Sequence, residues 1–397
     1  MRTIRTRLAG LAAAAVLAAG TTGAAAQTTG VTDDTIRIGA LGALTGATAF
    51  IGAPGRDGLT LAFDAINAAG GINGRQVDLV FEHAFTPGES VAAAKKLVES
   101  DGVFVLVLAS GSTGAAAAAD YVRETGIPTY NIFGATPIIR TPFAENVFHS
   151  AIPAAATSAE ALVDIAYEKN PDTEKLGLLV GSYAFPQSNL GAVRPILEAR
   201  GITPVIEEFE QNARDYTSQL ISFAREGVDS VIVMGSFTEA GFAIRQAPEV
   251  GLTDVTWVLD GSAVNNAIVP IIGNENPENI WGYSNVPAFV GQPGEAIEGF
   301  EAAWTEKYGE PPQGRPNLYD IVGYGSAYIL AQALAAAGED LTRESLIAAW
   351  TSLENAVPSG LGGYDVIYPE SFSPTETQGN DKLGVARIID GVWQVVD

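Results

Sequence analysis

The 397-residue chain has no cysteine, only two histidines and two methionines, and 22 basic residues against 46 acidic ones. Without cysteine there is no disulfide and no thiol nucleophile, so the fold must be held by its hydrophobic core, which a chain of this length can build as two domains. His83 and His149 stand outside any metal-binding spacing such as H-E-x-x-H. Ser112 lacks the glycine two residues before it that a G-x-S-x-G elbow requires. Neither G-x-G-x-x-G nor G-x-x-x-x-G-K-[ST] occurs, so nucleotide use has no motif to rest on, and the composition calls for no metal and no cofactor. Long apolar runs are missing too: no segment reaches the roughly 20 residues of a spanning helix free of charge or Pro/Gly interruption.

What is present begins with a leader. Arg2, Arg5 and Arg7 precede a short apolar stretch, Leu8 to Ala19, and Ala24-Ala25-Ala26 stand before Gln27. This is the layout of a secretory signal peptide over residues 1–26, with cleavage expected near Gln27 and a periplasmic, non-inserted product. The remaining chain carries 19 Lys+Arg against 46 Asp+Glu, a net charge of −27. Such a field repels nucleic acid and anionic membrane surfaces.

After Gln27, short β-branched runs alternate with longer amphipathic ones. Strands are predicted at 35–45, 76–83, 103–109 and 127–133, with helices at 58–70 and 89–100 between them. The alternation restarts after Ser150, with strands at 176–180, 203–209, 230–235 and 255–260 and helices at 216–227 and 239–251. Runs such as FVLVLA, apolar without alternation, point to a parallel sheet covered by helices on both faces. The fold class is therefore α/β, two doubly wound open-sheet lobes. Helices at 295–308 and 319–338 follow without strands of their own and must pack onto a lobe already formed. The tail from Lys382 to Val396 alternates around Asp390-Gly391, a hairpin signal.

Open α/β sheets bind ligands at the carboxyl ends of their strands. In the first lobe those ends carry Thr45, Ser110-Gly111-Ser112-Thr113 and Gly134-Ala135-Thr136. Exposed N–H groups and the positive end of a helix suit an anion there; serine and threonine are equally good helix caps. In the second lobe the ends carry Tyr183 and Phe185 in GSYAFPQ, Phe237 in GSFTEAG and Asp260 in WVLDGSA. The rings either wall a pocket or cover the sheet edge. Asp260 needs a partner, which is either an amino group on a ligand or the helix start near Ser262.

The stretch TIRIGALGALTGATAFIGAPGRDGLTLAFDAINAAGGINGRQVDLVFEH, continued by ESVAAAKKLVES, IPTYNIFGATP, FTEAGFAIRQAPEVGL and WVLDGSA, closely resembles the leucine/isoleucine/valine-binding proteins, the type I periplasmic solute-binding family of ABC transporters. The resemblance covers essentially all of the chain after the leader. It implies a type I periplasmic binding fold in which three crossover strands, near 147–151, 282–286 and 357–363, join an N-terminal lobe (27–150 plus 286–357) to a C-terminal lobe (151–285 plus 358–397). By motif it implies that Ser110 and Thr136 hold the ligand carboxylate and that the Gly134 carbonyl faces the ammonium. Asp260 would receive the α-amino group, Phe237 would form an aromatic wall, and Tyr183 or Phe185 would add a second ring. Three departures stand out: Phe85 and Ala109 lie where the family has a disulfide, Ile51 stands where a tyrosine is common, and GSYAFPQ replaces D-x-x-x-YG.

The implied role is the substrate-binding component of an ABC importer, a monomer that closes on a small carboxylate-bearing solute and delivers it to a membrane permease. An aliphatic or branched-chain amino acid is the first candidate ligand, and an aromatic acid or an amide the alternative. A ligand-sensing module for a receptor and an exported hydrolase are the readings of other classes. The missing nucleophile and base speak against the hydrolase, and the chain is read as no enzyme.

Overall fold

The computed structural model describes residues 28–275, 277–312 and 315–396, and the leader lies outside them. The first sheet has the order β2-β1-β3-β4-β5, all parallel, from β1 (Thr35–Gly42), β2 (Gln76–His83), β3 (Val105–Leu108), β4 (Thr129–Asn131) and β5 (Val147–His149). Its connecting helices are α1 (Ala49–Ala68), α2 (Pro87–Lys95, continued by a π turn), α3 (Gly111–Thr125) and the single turn α4 (Pro137–Arg140). All four residues of β3 are buried, as expected of a strand covered on both faces.

The second sheet has the order β12-β11-β10-β9-β8-β6-β7. Its parallel strands are β6 (Leu176–Gly181), β7 (Val205–Phe209), β8 (Ser230–Met234), β9 (Thr256–Leu259) and β10 (Ile280–Ser284). The antiparallel hairpin β11 (Gly384–Ile389) and β12 (Val392–Val395) extends it, turning at Asp390-Gly391. Helices α5 (Ala155–Lys169), α6 (Ala184–Ala199), α7 (Thr217–Glu226), α8 (Phe237–Gln246) and α9 (Val269–Ile272) cover it.

The late helices are α10 (Glu295–Tyr308), α11 (Leu318–Ala336) and α12 (Arg343–Trp350), and α11 lies along α1. Their approach is set by glycine. A Cβ on Gly58 would fall 2.2 Å from the Asp320 carbonyl oxygen, and one on Gly323 would fall 2.6 Å from the Gly55 carbonyl oxygen. Sequence periodicity opened α1 at Gly58; the helix in fact begins nine residues earlier, at Ala49, and runs through Pro54. Gly52, Gly55 and Pro54 look like breakers, yet Gly52 is needed where α1 meets the Ala43 backbone, because a Cβ there would fall 2.4 Å from both the nitrogen and the carbonyl oxygen of Ala43.

Beyond α12, Val357–Gly363 forms a 3-10 turn (Pro358–Leu361) against α11, where Gly360 abuts Gln332 and Gly363 abuts Tyr328. The chain then returns to the first sheet: Ala356 pairs with Glu370, and Gln378 pairs in parallel with His149 at the end of β5. Glu370 is fully buried and accepts hydrogen bonds from Tyr130 Oη at 2.5 Å and Ser150 Oγ at 2.8 Å. Burial lifts its pKa to about 7.

In both sheets the strand order reverses beside the first strand of the lobe, β1 between β2 and β3, and β6 between β7 and β8. The loops leaving β1 and β3, and those leaving β6 and β8, therefore flank the crevice where such sheets bind ligands.

Candidate functional site

A cavity of about 350 Å³ lies between these two switch points. From the first lobe it is lined by Thr48, Phe50, Ile51, Phe85, Ser110 to Thr113, Phe133, Leu318 and Tyr319, and from the second by Tyr183, Phe185, Asn212, Arg214 and Ser236 to Glu239. Tyr283 near the end of β10, and Ile152 and Asn285 just beyond the ends of β5 and β10, also line the wall. Eight lining residues are aromatic. Phe50 meets Phe237 edge-on across the lobes at 5.9 Å, and Tyr319 sits edge-on to both Phe50 and Phe133.

Four of the seven residues singled out from sequence line this cavity: Ser110, Tyr183, Phe185 and Phe237. Ser110 is the N-cap residue of α3, but its side chain makes no capping hydrogen bond. Its Oγ is buried with no partner among the described residues. It rests over the first turn of α3, where a Cβ on Gly114 would come within 2.4 Å of it. Gly111 has φ of +66°, a turn that brings the start of α3 directly after the strand. Ser112 and Thr113, read as caps, also line the cavity, and Ser112 Oγ accepts from the Ala135 N–H at 3.1 Å, tying the loop after β4 to α3. The amino end of a 15-residue helix thus faces the cavity beside a free hydroxyl, an arrangement that suits a carboxylate.

Gly134, Thr136 and Asp260 are not on the wall. The Gly134 carbonyl accepts from Asn131 Nδ2 and from Arg140 Nη1, both at 2.7 Å. Thr136 caps α4, its Oγ1 accepting from the Ile138 N–H. The loop after β4 is thus held back by Asn131 and by the half-buried Arg140, whose other nitrogen reaches Ile152 and Gln378. Thr45 lies outside the cavity as well.

Asp260 is fully buried beneath the wall. Its Oδ2 accepts from the Gly235 N–H at 2.8 Å, and its Oδ1 accepts from Ser262 N and Oγ at 2.8 and 2.7 Å. It therefore ties the loop after β8 to the loop after β9, bonding the Ser262 N–H as a cap would, although no helix starts there and the next helical turn begins at Asn266. Burial raises its pKa to about 7, against an ordinary value of 3.8. Because the folded value is raised, the native state holds a proton that the unfolded chain has released. The carboxyl thus stabilises the fold at low pH, and that contribution falls between about pH 4 and pH 7 by on the order of 3 kcal/mol. The unfolding free energy of the protein minus that of Asp260→Asn should fall across this window and level off above it. Denaturant titrations at pH 4, 5.5, 7 and 8 check this, and a flat difference refutes it.

The acidic residue that does reach the wall is Glu239. It accepts from Tyr183 Oη and the Asn212 N–H at 2.7 Å each and from Ser236 N and Oγ at 2.8 and 3.0 Å, so it binds three loops into one surface. Sequence reading passed over it because S-F-T-E is an ordinary capping box, which it also is. Phe50 and Tyr319 were missed for a different reason: they sit at helix starts, 269 positions apart, with no strand end to mark them.

A model of the family described as periplasmic binding protein matches residues 35–391. A Leu/Ile/Val-binding protein homolog of Brucella melitensis is 24% identical over 83% of this chain and 83% of its own length. A branched-chain amino acid transporter substrate-binding protein, LivJ, from Streptococcus pneumoniae, solved in complex with isoleucine, aligns at a TM-score of 0.74 with 20% identity over 91% of this chain and 99% of that one. A fatty acid ABC transporter substrate-binding protein from Thermomonospora curvata aligns at 0.76 with 21% identity over 94% and 93%. No helix among the described residues is long and apolar enough to cross a membrane.

Proposed function

We propose that this chain, which belongs to the periplasmic binding protein family, is the substrate-binding component of an ABC importer. In this reading it is exported by its leader, cut near Gln27, acts as a monomer, and hands its solute to a membrane permease. The ligand is a small carboxylate-bearing solute enclosed as the lobes close, and the observation that carries this is Ser110. Its unpartnered Oγ lies at the amino end of α3 on the wall of an inter-lobe cavity. The carboxylate rests on Ser110 and the first N–H groups of α3, while Tyr183, Phe185 and Phe237 close over the apolar body from the other lobe. Ligand that binds only the closed arrangement shifts the population toward it, and the permease reads that shift. The lobes are expected from sequence at 27–150 plus 286–357 and 151–285 plus 358–397; the Glu370 and Gln378 pairings above support moving 358–379 to the first in this reading.

An aliphatic or branched-chain amino acid is the ligand expected from sequence. An aromatic acid is the second reading, and the state of the acidic residues favours it. Asp260 is enclosed and Glu239 already accepts four hydrogen bonds, which leaves little carboxylate for an ammonium group. A thermal-shift panel of leucine, valine, 4-methylpentanoate, benzoate, 4-hydroxybenzoate and benzamide tests both readings. One carboxylate class should stabilise the protein by about 2.7 kcal/mol at a hundredfold excess over its dissociation constant. Response to benzamide alone, or to nothing, refutes the carboxylate reading; response to leucine over benzoate restores the amino acid.

A further inference from the structure

We propose that the side-chain amide of Asn285 is a ligand-binding group, which hydrogen-bonds a polar substituent of the ligand other than its carboxylate. The inference rests on the carboxylate reading above, since that reading has α3 and Ser110 take the first polar end. Asn285 borders the cavity, is 1% exposed, and its Nδ2 has no hydrogen-bond partner among the described residues. Buried amides are almost always paired, and one left open in the wall of a cavity has its partner in what fills the cavity.

Its placement is not accidental to the backbone. Ser284 ends β10, and its Oγ donates to the Val286 carbonyl and accepts from the Val286 N–H, at 2.8 and 3.2 Å. That small turn fixes the residue between them at the point where the chain leaves the second sheet, and the next helix, α10, packs against α1 in the first lobe. A ligand bonded to Asn285 therefore touches a segment that must adjust when the lobes move, so this contact couples recognition to closure. Because an amide can present either its nitrogen or its oxygen, the substituent is a hydroxyl, carbonyl, amide or amino group. This narrows the substrate class from apolar carboxylates at large to carboxylates bearing one further polar group on or beside the apolar body.

The test compares ligand pairs that differ only in that group, 4-hydroxybenzoate with benzoate and leucine with 4-methylpentanoate, by calorimetry on the protein and on Asn285→Leu. The protein should bind the polar member of one pair at least about tenfold more tightly, and Asn285→Leu should erase that preference while changing the plain member less than about twofold. The melting temperature of the ligand-free variant should be unchanged or raised, because the substitution removes an unpaired buried amide. In the unsubstituted protein, the side-chain ¹⁵N amide resonance that Asn285→Leu eliminates should shift on adding the polar member and stay in place with the plain one. Equal losses for both members, no loss, or an unmoved resonance overturns the proposal and leaves the carboxylate reading standing. Silence of all four probes overturns both.

Discussion

Alanine in place of Gly58 is expected to cost about 3 kcal/mol of stability, although alanine is worth roughly 1 kcal/mol more than glycine inside a helix. The new Cβ would lie 2.2 Å from the Asp320 carbonyl oxygen and 2.7 Å from the Tyr324 nitrogen. Both are backbone atoms of α11, so no side chain can rotate away, and the helices must separate. Separation also moves the cavity wall, since α1 carries Phe50 near its start and α11 carries Tyr319 near its own. Gly191→Ala is the control: it lies in α6 with nothing within 4 Å of its added Cβ, and it should gain up to about 1 kcal/mol. Denaturant unfolding of the two variants gives opposite signs if close packing, rather than glycine itself, holds α1 to α11. A neutral Gly58→Ala would show that the helices can part without loss.

The second large effect is expected at Arg315. Its guanidinium bonds Asp320 at 2.8 and 2.5 Å and Asp57 at 2.9 Å, and Asp320 is fully buried at the start of α11. Asp320 also accepts from Trp304 Nε1 and the Asn317 N–H, so its carboxylate fastens α10 to the start of α11, and Arg315 carries the link on to Asp57 of α1. Arg315→Met leaves a buried carboxylate without its cation and should cost about 3–5 kcal/mol. The sign of the pH response identifies the cause. With the cation gone, burial lifts the folded pKa of Asp320 further above its unfolded value, so the variant should regain stability relative to the parent as pH falls below that folded value. Adding Asp320→Asn to Arg315→Met should recover part of the loss at neutral pH. A loss that is the same at pH 4 and pH 8 would instead assign it to the lost stacking of the guanidinium over the Trp304 ring.

Much of the architecture was legible beforehand because it is written in local periodicity. The predicted Gln76–His83 strand, the helix from Glu295 to Tyr308 and the hairpin around Asp390-Gly391 each appear within a few residues of their expected ends, and the buried β3 follows from its unbroken apolar run. The beginning of α1 did not follow, because Gly52, Pro54 and Gly55 read as punctuation until the partner they pack against is known. The placement of Ser110, Tyr183, Phe185 and Phe237 on one cavity could be anticipated, since each stands at the carboxyl end of a strand and topology gathers those ends.

The sequence alone therefore determined the α/β class, the doubling of the sheet, and which strand ends face the crevice, because a strand's burial and direction are encoded within a window of a dozen residues. Only the tertiary structure decided how side chains are aimed. It set Asp260 beneath the wall and Glu239 on it, drew Gly134 and Thr136 back through Asn131 and Arg140, and left Asn285 open to the cavity. Hydrogen bonds between residues far apart in the chain fix these choices, Asp260 to Gly235 and Glu239 to Tyr183 and Asn212, and no local window of sequence encodes such pairings.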